Sequence, residues 1–189
     1  MNSIIEYFNK ILPISEKEIQ ELEPLLSYKV LAKNEVLLDE NEVCRTLSFI
    51  KKGAFRIFHN NANGTLTNLM LVTGNEFISN YESFISGLPS NVTIQATEKS
   101  EVICISKTNL EGLLENSLYW NKLGIILTGN IFVESKHRLE SIIYKTAEER
   151  YLDLITYTPN LLERFSLTDI ASFIGVTPQS LSRIRARLN

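Results

Sequence analysis

The sequence predicts an α+β protein: an N-terminal double-stranded β-helix of the jelly-roll kind, one long central helix and a C-terminal helix-turn-helix. Three observations predict it. Short β-rich runs crowd residues 29–106, no proline interrupts the helical apolar spacing of residues 118–144, and residues 165–188 divide into two short helices around one glycine. Residues 1–115 are expected to form a roll with flanking helices, 116–145 a dimerisation helix and 146–189 the helix-turn-helix.

A helix is expected over Ser15 to Leu26. Ser15 and Glu18 fit a capping box, and Ile19, Leu22, Leu25 and Leu26 repeat on one face. The strands follow as Val36–Leu38, Leu47–Ile50, Ala54–Phe58, Leu66–Val72, Val92–Ala96 and Glu101–Ile105. Lys52-Gly53, Asn63-Gly64, Thr73-Gly74 and Gly87-Leu88-Pro89 separate them as turns, and Asn-Gly favours a tight hairpin because both residues tolerate positive φ. Many short strands at close spacing close on themselves as a sandwich or barrel.

Asn109 to Glu115 reads as a short helix, and Leu118 to Tyr144 as one of about 27 residues, about 40 Å long. Its stripe of Leu123, Leu127, Ile131, Leu139 and Ile143 is widened by Ile125, Ile126, Phe132 and Val133. That is more apolar face than a small roll covers. A second copy of the same helix is the simplest partner, with Leu123, Leu127, Ile131 and Leu139 as the dimerisation residues. A further helix runs from Ala147 to Tyr157 and stops near Pro159.

The sharpest motif is FSLTDIASFIGVTPQSLSRIRARL, Phe165 to Leu188. Ser166 caps its first helix, with Asp169 in the first turn, and Ile170, Ala171 and Ile174 face inward. Gly175 makes the turn, Val176 plugs it, Thr177 caps the second helix and Pro178 opens it. Leu181, Ile184 and Leu188 are expected inward. Thr177, Gln179, Ser180, Ser182, Arg183 and Arg187 then form the candidate DNA-binding set, since Gln suits adenine, Arg suits guanine, and Ser suits phosphate or base.

Charge weighs the other way. The net charge is −3, with a pI near 5.5, but residues 176–189 hold three Arg and no acid. Cys44 and Cys104 are too far apart in sequence for a redox or zinc motif, and His59 and His137 read as isolated surface histidines. Two such histidines do not supply the clustered ligands of a β-roll metalloenzyme, so no metal and no catalytic residues are expected. The N-terminus does not read as a signal peptide and no long apolar run occurs, so a cytoplasmic protein without membrane contact is expected.

The order of parts resembles the Crp/Fnr family of bacterial transcription regulators, whose roll is of the cyclic-nucleotide-binding kind. The resemblance rests on Phe49-Ile50-Lys51-Lys52-Gly53-Ala54-Phe55-Arg56, on Gly74 to Phe84 and on Ile170 to Leu188. It implies a homodimer that reads a palindromic operator in double-stranded DNA, with Arg183 on the family's base-reading arginine and Gln179 where many members carry glutamate. RNA polymerase and an unidentified small-molecule effector in the roll are the further partners it implies.

The effector pocket it implies holds Phe77, Ser79, Asn80, Tyr81, Ser90 and Asn91. Members that bind cyclic nucleotides carry a glutamate for the ribose and an arginine for the phosphate. Asn80 and Ser90 fall at those positions, and a buried phosphate without a cation is poorly compensated. Cyclic AMP is therefore expected to bind weakly or not at all, and no cofactor is expected. The family also continues into a β-hairpin wing, whereas this sequence ends at Asn189, so the wing is either absent or cut off. The acidic total and missing wing leave a second reading open, a ligand- or partner-binding roll without productive DNA binding.

Overall fold

The computed structural model describes residues 1–62 and 64–188. The Asn63 half of the expected Asn63-Gly64 hairpin, and Asn189, lie outside the described residues; Gly64 takes the expected positive φ of 79°. Among the described residues no helix is long and apolar enough to cross a membrane.

Two antiparallel four-stranded sheets form the roll. The first runs β1 (Leu26–Leu31), β8 (Ser100–Ser106), β3 (Thr46–Lys52), β6 (Phe77–Ile78). The second runs β2 (Val36–Leu38), β7 (Thr93–Ala96), β4 (Ala54–Asn60), β5 (Leu66–Thr73). Between them lies a core that includes Leu31, Ile50, Phe55, Ile94 and Val102. Cys44 and Cys104 are buried free thiols in this core. Gly53, at φ 115°, turns β3 into β4 where a Cβ would stand 2.1 Å from Ser100 Oγ, so no other residue fits without displacing β8.

The N-terminal region departs from the expected single helix. The helix expected to reach Leu26 ends at Leu22 (α2, Glu16–Leu22), because Pro24 has no amide to continue it. Pro24 sits in a single 3-10 turn, and Leu26 opens β1 opposite Ile105. The Ser15–Glu18 capping box is present. Three further helices, unforeseen, are α1 (Asn2–Ile11), α3 (Tyr81–Ser86) and α7 (Asn160–Arg164). In α1, Ile4 and Phe8 pack with Phe49, Trp120 and Leu123 on the outer face of the first sheet.

Helices α4 (Lys107–Asn116), α5 (Leu118–Tyr144), α6 (Ala147–Tyr157), α8 (Leu167–Ile174) and α9 (Pro178–Leu188) complete the chain. Only Trp120 and Leu123 of α5 are buried, both near its start. Beyond Leu127 the apolar residues of the helix, among them Ile131, Phe132 and Leu139, are exposed.

The helix-turn-helix does not stand apart from the roll. Tyr151, Leu154, Leu161, Phe165, Ile170 and Leu181 share one apolar cluster with Ala54 and Leu71, which lie on the outer face of the second sheet. That is why β4 is covered on both faces: Phe55 and Ile57 point into the roll, and Ala54 points out at the helices.

Candidate nucleic-acid interface

The turn between α8 and α9 is built as its residues dictate. Ser166 Oγ accepts the Asp169 amide at 3.1 Å and caps α8. Gly175 ends it in the left-handed region, at φ 79°, its amide donating to the carbonyls of Ala171 and Ser172. Thr177 Oγ1 then accepts the Ser180 amide at 3.2 Å, and Pro178 holds the first position of α9.

Leu181 and Ile184 face inward and are buried. Leu188, expected to join them, is 38% exposed, because the underlying core ends before the last turn of α9. On the opposite face Thr177, Gln179, Ser182, Arg183 and Arg187 are exposed, and Ser180 is half-buried at the cap. Among the described residues Gln179 and Ser182 make no side-chain hydrogen bond, and Arg183 only a long one, 3.4 Å, to Ser180. Arg187 is spoken for, donating to Glu148 of α6 at 2.7 Å.

Two arginines outside the motif hold its turn. Arg150 of α6 donates to the Ile174 carbonyl at 2.9 Å. Arg138 of α5 lies 4.0 Å from the centre of the Phe173 ring and donates to the Phe173 carbonyl. Both cations meet the negative end of α8. They were not singled out from the sequence, where an arginine on a polar helix reads as solvated surface.

The roll pocket is different in kind. Asn80 is buried, and its Oδ1 accepts the Ser83 amide as the cap of α3. Its Nδ2 donates to Ser90 Oγ at 2.8 Å and to Asn91 Oδ1 at 3.3 Å. Ser90 Oγ donates on to the Val92 carbonyl at 2.7 Å. The two residues at the family's ribose and phosphate positions are thus bonded to each other, and neither carries charge. These residues do not fit a cyclic phosphate.

Two members of the expected pocket are not bonded into this cluster. Phe77 is on the outer face of β6, its ring 5.4 Å from Tyr7 and 5.2 Å from Phe49, because strand alternation turns Ile78 inward instead. Tyr81 is 43% exposed at the start of α3. The roll does contain a cavity of about 170 Å³, lined by Leu37, Cys44, Thr46, Ser48, Ile94 and others. Of the expected pocket residues only Ser79 borders it. His59 Nδ1 lies 2.9 Å from the Asn91 carbonyl, and His137 is exposed on α5.

Of the expected dimerisation residues, Leu123 is spent on the chain's own core at 2% exposure. Leu127 is half-buried against the same core, while Ile131 and Leu139 are exposed.

Residues 28–117 match the family of cyclic nucleotide-binding domains. Similar folds extend over nearly the whole chain. A protein from Eubacterium rectale assigned to the Crp/Fnr family of transcriptional regulators superposes with a TM-score of 0.73 at 16% identity, covering 97% of this chain and 87% of that one. The chain has the Crp/Fnr fold. FixK2 from Bradyrhizobium japonicum shares this Crp/Fnr arrangement at a TM-score of 0.71 and 18% identity, over 86% of this chain and 84% of that one. The regulator CLP of Xanthomonas campestris, described as responsive to c-di-GMP, does so at 0.69 and 16%, over 92% and 91%. No curated protein is significantly similar in sequence.

Proposed function

We propose that this chain is a DNA-binding transcription regulator of the Crp/Fnr type, working as a homodimer on a two-fold symmetric operator. The observation that carries the reading is the bare outward face of α9, where Gln179, Ser182 and Arg183 project from a capped, acid-free helix. Glutamine pairs bidentately with adenine and arginine with guanine, the contacts that distinguish base pairs in a major groove. The fold relatives named as regulators support the same reading.

An exposed apolar stripe along α5 supports the homodimer. Leu118, Ile125, Phe132 and Leu139 stand seven residues apart, and each is more than half exposed. A seven-residue apolar repeat is the seam of a supercoiled helix pair. The regulator reading requires such a pair to present its two α9 helices about one turn of DNA apart. Leu139 belongs both to this stripe and to the dimerisation set expected from the sequence, whereas Leu123 and Leu127 pack on the chain's own core.

The test is selection of bound sequences from random duplex DNA by the full chain. The expected result is a palindromic site with half-sites about 10 base pairs apart, bound less tightly as salt rises. Recovery of no enriched sequence at low salt ends the reading.

A further inference from the structure

The joint between the dimer helix and the DNA-reading unit is short. Helix α5 ends at Tyr144 and α6 begins at Ala147, so the chain itself provides only a two-residue hinge, Lys145 and Thr146. A reader of two half-sites at fixed spacing needs its recognition helix held in one orientation. The outer face of the second sheet carries a polar platform bonded to α8.

Three adjacent strands build the platform. Arg56 of β4 is held flat by Gln95 of β7, whose Oε1 accepts from Arg56 Nε at 3.1 Å and from its Nη2 at 2.8 Å. The Arg56 guanidinium also lies 4.9 Å from the centre of the Phe58 ring. Thus oriented, its Nη1 donates to Asp169 Oδ1 of α8 at 2.8 Å. Asn68 of β5 supplies the third strand. Its Nδ2 donates to the same Asp169 oxygen at 3.1 Å, and its backbone N–H donates to Ser172 Oγ at 2.9 Å.

Asn68 reaches α8 only because β5 is irregular. Ile57 pairs with Met70 and the next residue, Phe58, with Asn68, so Leu69 is an extra residue in the strand. This bulge moves Asn68 to the outer face, where regular alternation from Leu71 would turn it inward. The ion pair is largely covered, with 21% and 12% of the two side chains exposed. Burial pushes the Asp169 carboxyl up, but bonds from Ser166, Arg56 and Asn68 outweigh it and hold the group below the usual aspartate value. Asp169 therefore stays ionised in this contact at neutral pH.

We infer that Arg56 and Asn68 of the roll are positioning residues for DNA reading: the platform locks α8 so that α9 faces the groove in one orientation. The inference rests on the regulator reading above. It is a lock and not a cover, because it grips Asp169 and Ser172 of α8 and leaves Gln179, Ser182 and Arg183 exposed.

The test uses Arg56→Met and Asp169→Asn in the full chain, on the selected operator and on duplexes whose half-site spacing is changed by one or two base pairs. Each variant is expected to bind the operator about tenfold more weakly while keeping its affinity for unrelated duplex. Its preference among spacings should flatten, a change that simple loss of folded protein does not produce. The reversed pair, Arg56→Asp with Asp169→Arg, should recover part of the preference. Unchanged spacing preference overturns the inference, and so does tighter operator binding, which would make the platform a brake.

A distance measurement separates this from failure of the DNA reading. With labels at Lys33→Cys and Ala186→Cys, both exposed sites, in chains diluted with an excess of unlabelled chain so that only the distance within one chain is read, the otherwise native sequence should give one narrow distance and Arg56→Met a broad one. Identical distributions overturn the inference even if the chain binds DNA; a narrow distance broadened by Arg56→Met upholds the lock even if it does not.

Discussion

The Asn80–Ser90 cluster and the outward face of α9 use similar side chains, amides and hydroxyls, to opposite ends. In the cluster each group has found a partner inside the chain: Asn80 caps α3 and bonds Ser90, and Ser90 bonds the Val92 carbonyl. On α9, Gln179 and Ser182 have found none among the described residues, and they stand in water. A buried polar group lowers the free energy only when it is bonded, so the first set stabilises the roll. An exposed polar group costs nothing unpaired, so the second is available for a ligand. Position in a family pattern does not separate the two; hydrogen bonding does.

The largest effect that would sharpen this contrast lies between the two sites. Phe132→Asp puts a charge in the exposed seam of α5, and the mass in solution should fall to that of a single chain. Operator affinity should drop by about 10²–10⁴-fold as two linked half-site contacts become one. An unchanged mass would place the seam elsewhere.

The next tests α9 directly. Arg183→Ala should cost about 1–3 kcal/mol of operator binding and relax the preference at one base pair, with the melting temperature nearly unchanged. Equal affinity in a titration against the selected site would remove Arg183 from the reading face.

The smallest tests the cluster. Asn80→Ala removes the cap of α3 and leaves Ser90 short of a donor, so it should lower folding stability by about 1–2 kcal/mol in denaturant unfolding. Operator affinity of the folded protein should stay the same. If Asn80→Ala instead changes DNA affinity and leaves stability alone, the cluster is a sensor and the contrast breaks.

Most of the architecture was legible in the chain. Local rules settle local structure, so the capping box at Ser15, the long α5, the left-handed Gly175 and the Thr177-Pro178 start of α9 could all be read from residue types and spacing. Pro24 also carried a legible stop signal, though the apolar spacing of Leu25 and Leu26 masked it. Tertiary structure decided which apolar and polar groups are already used. Leu123 and Phe77 fit a dimer stripe and a pocket by pattern, yet both are spent on the cluster with Phe8 and Phe49. Arg56, Asn68 and Asp169 are 101 to 113 residues apart across their contacts, and a bulge at Leu69 brings Asn68 round. A pattern along one strand or helix gives the direction of a side chain relative to its neighbours. What waits on that side is set by chain closure and packing, which no local spacing encodes.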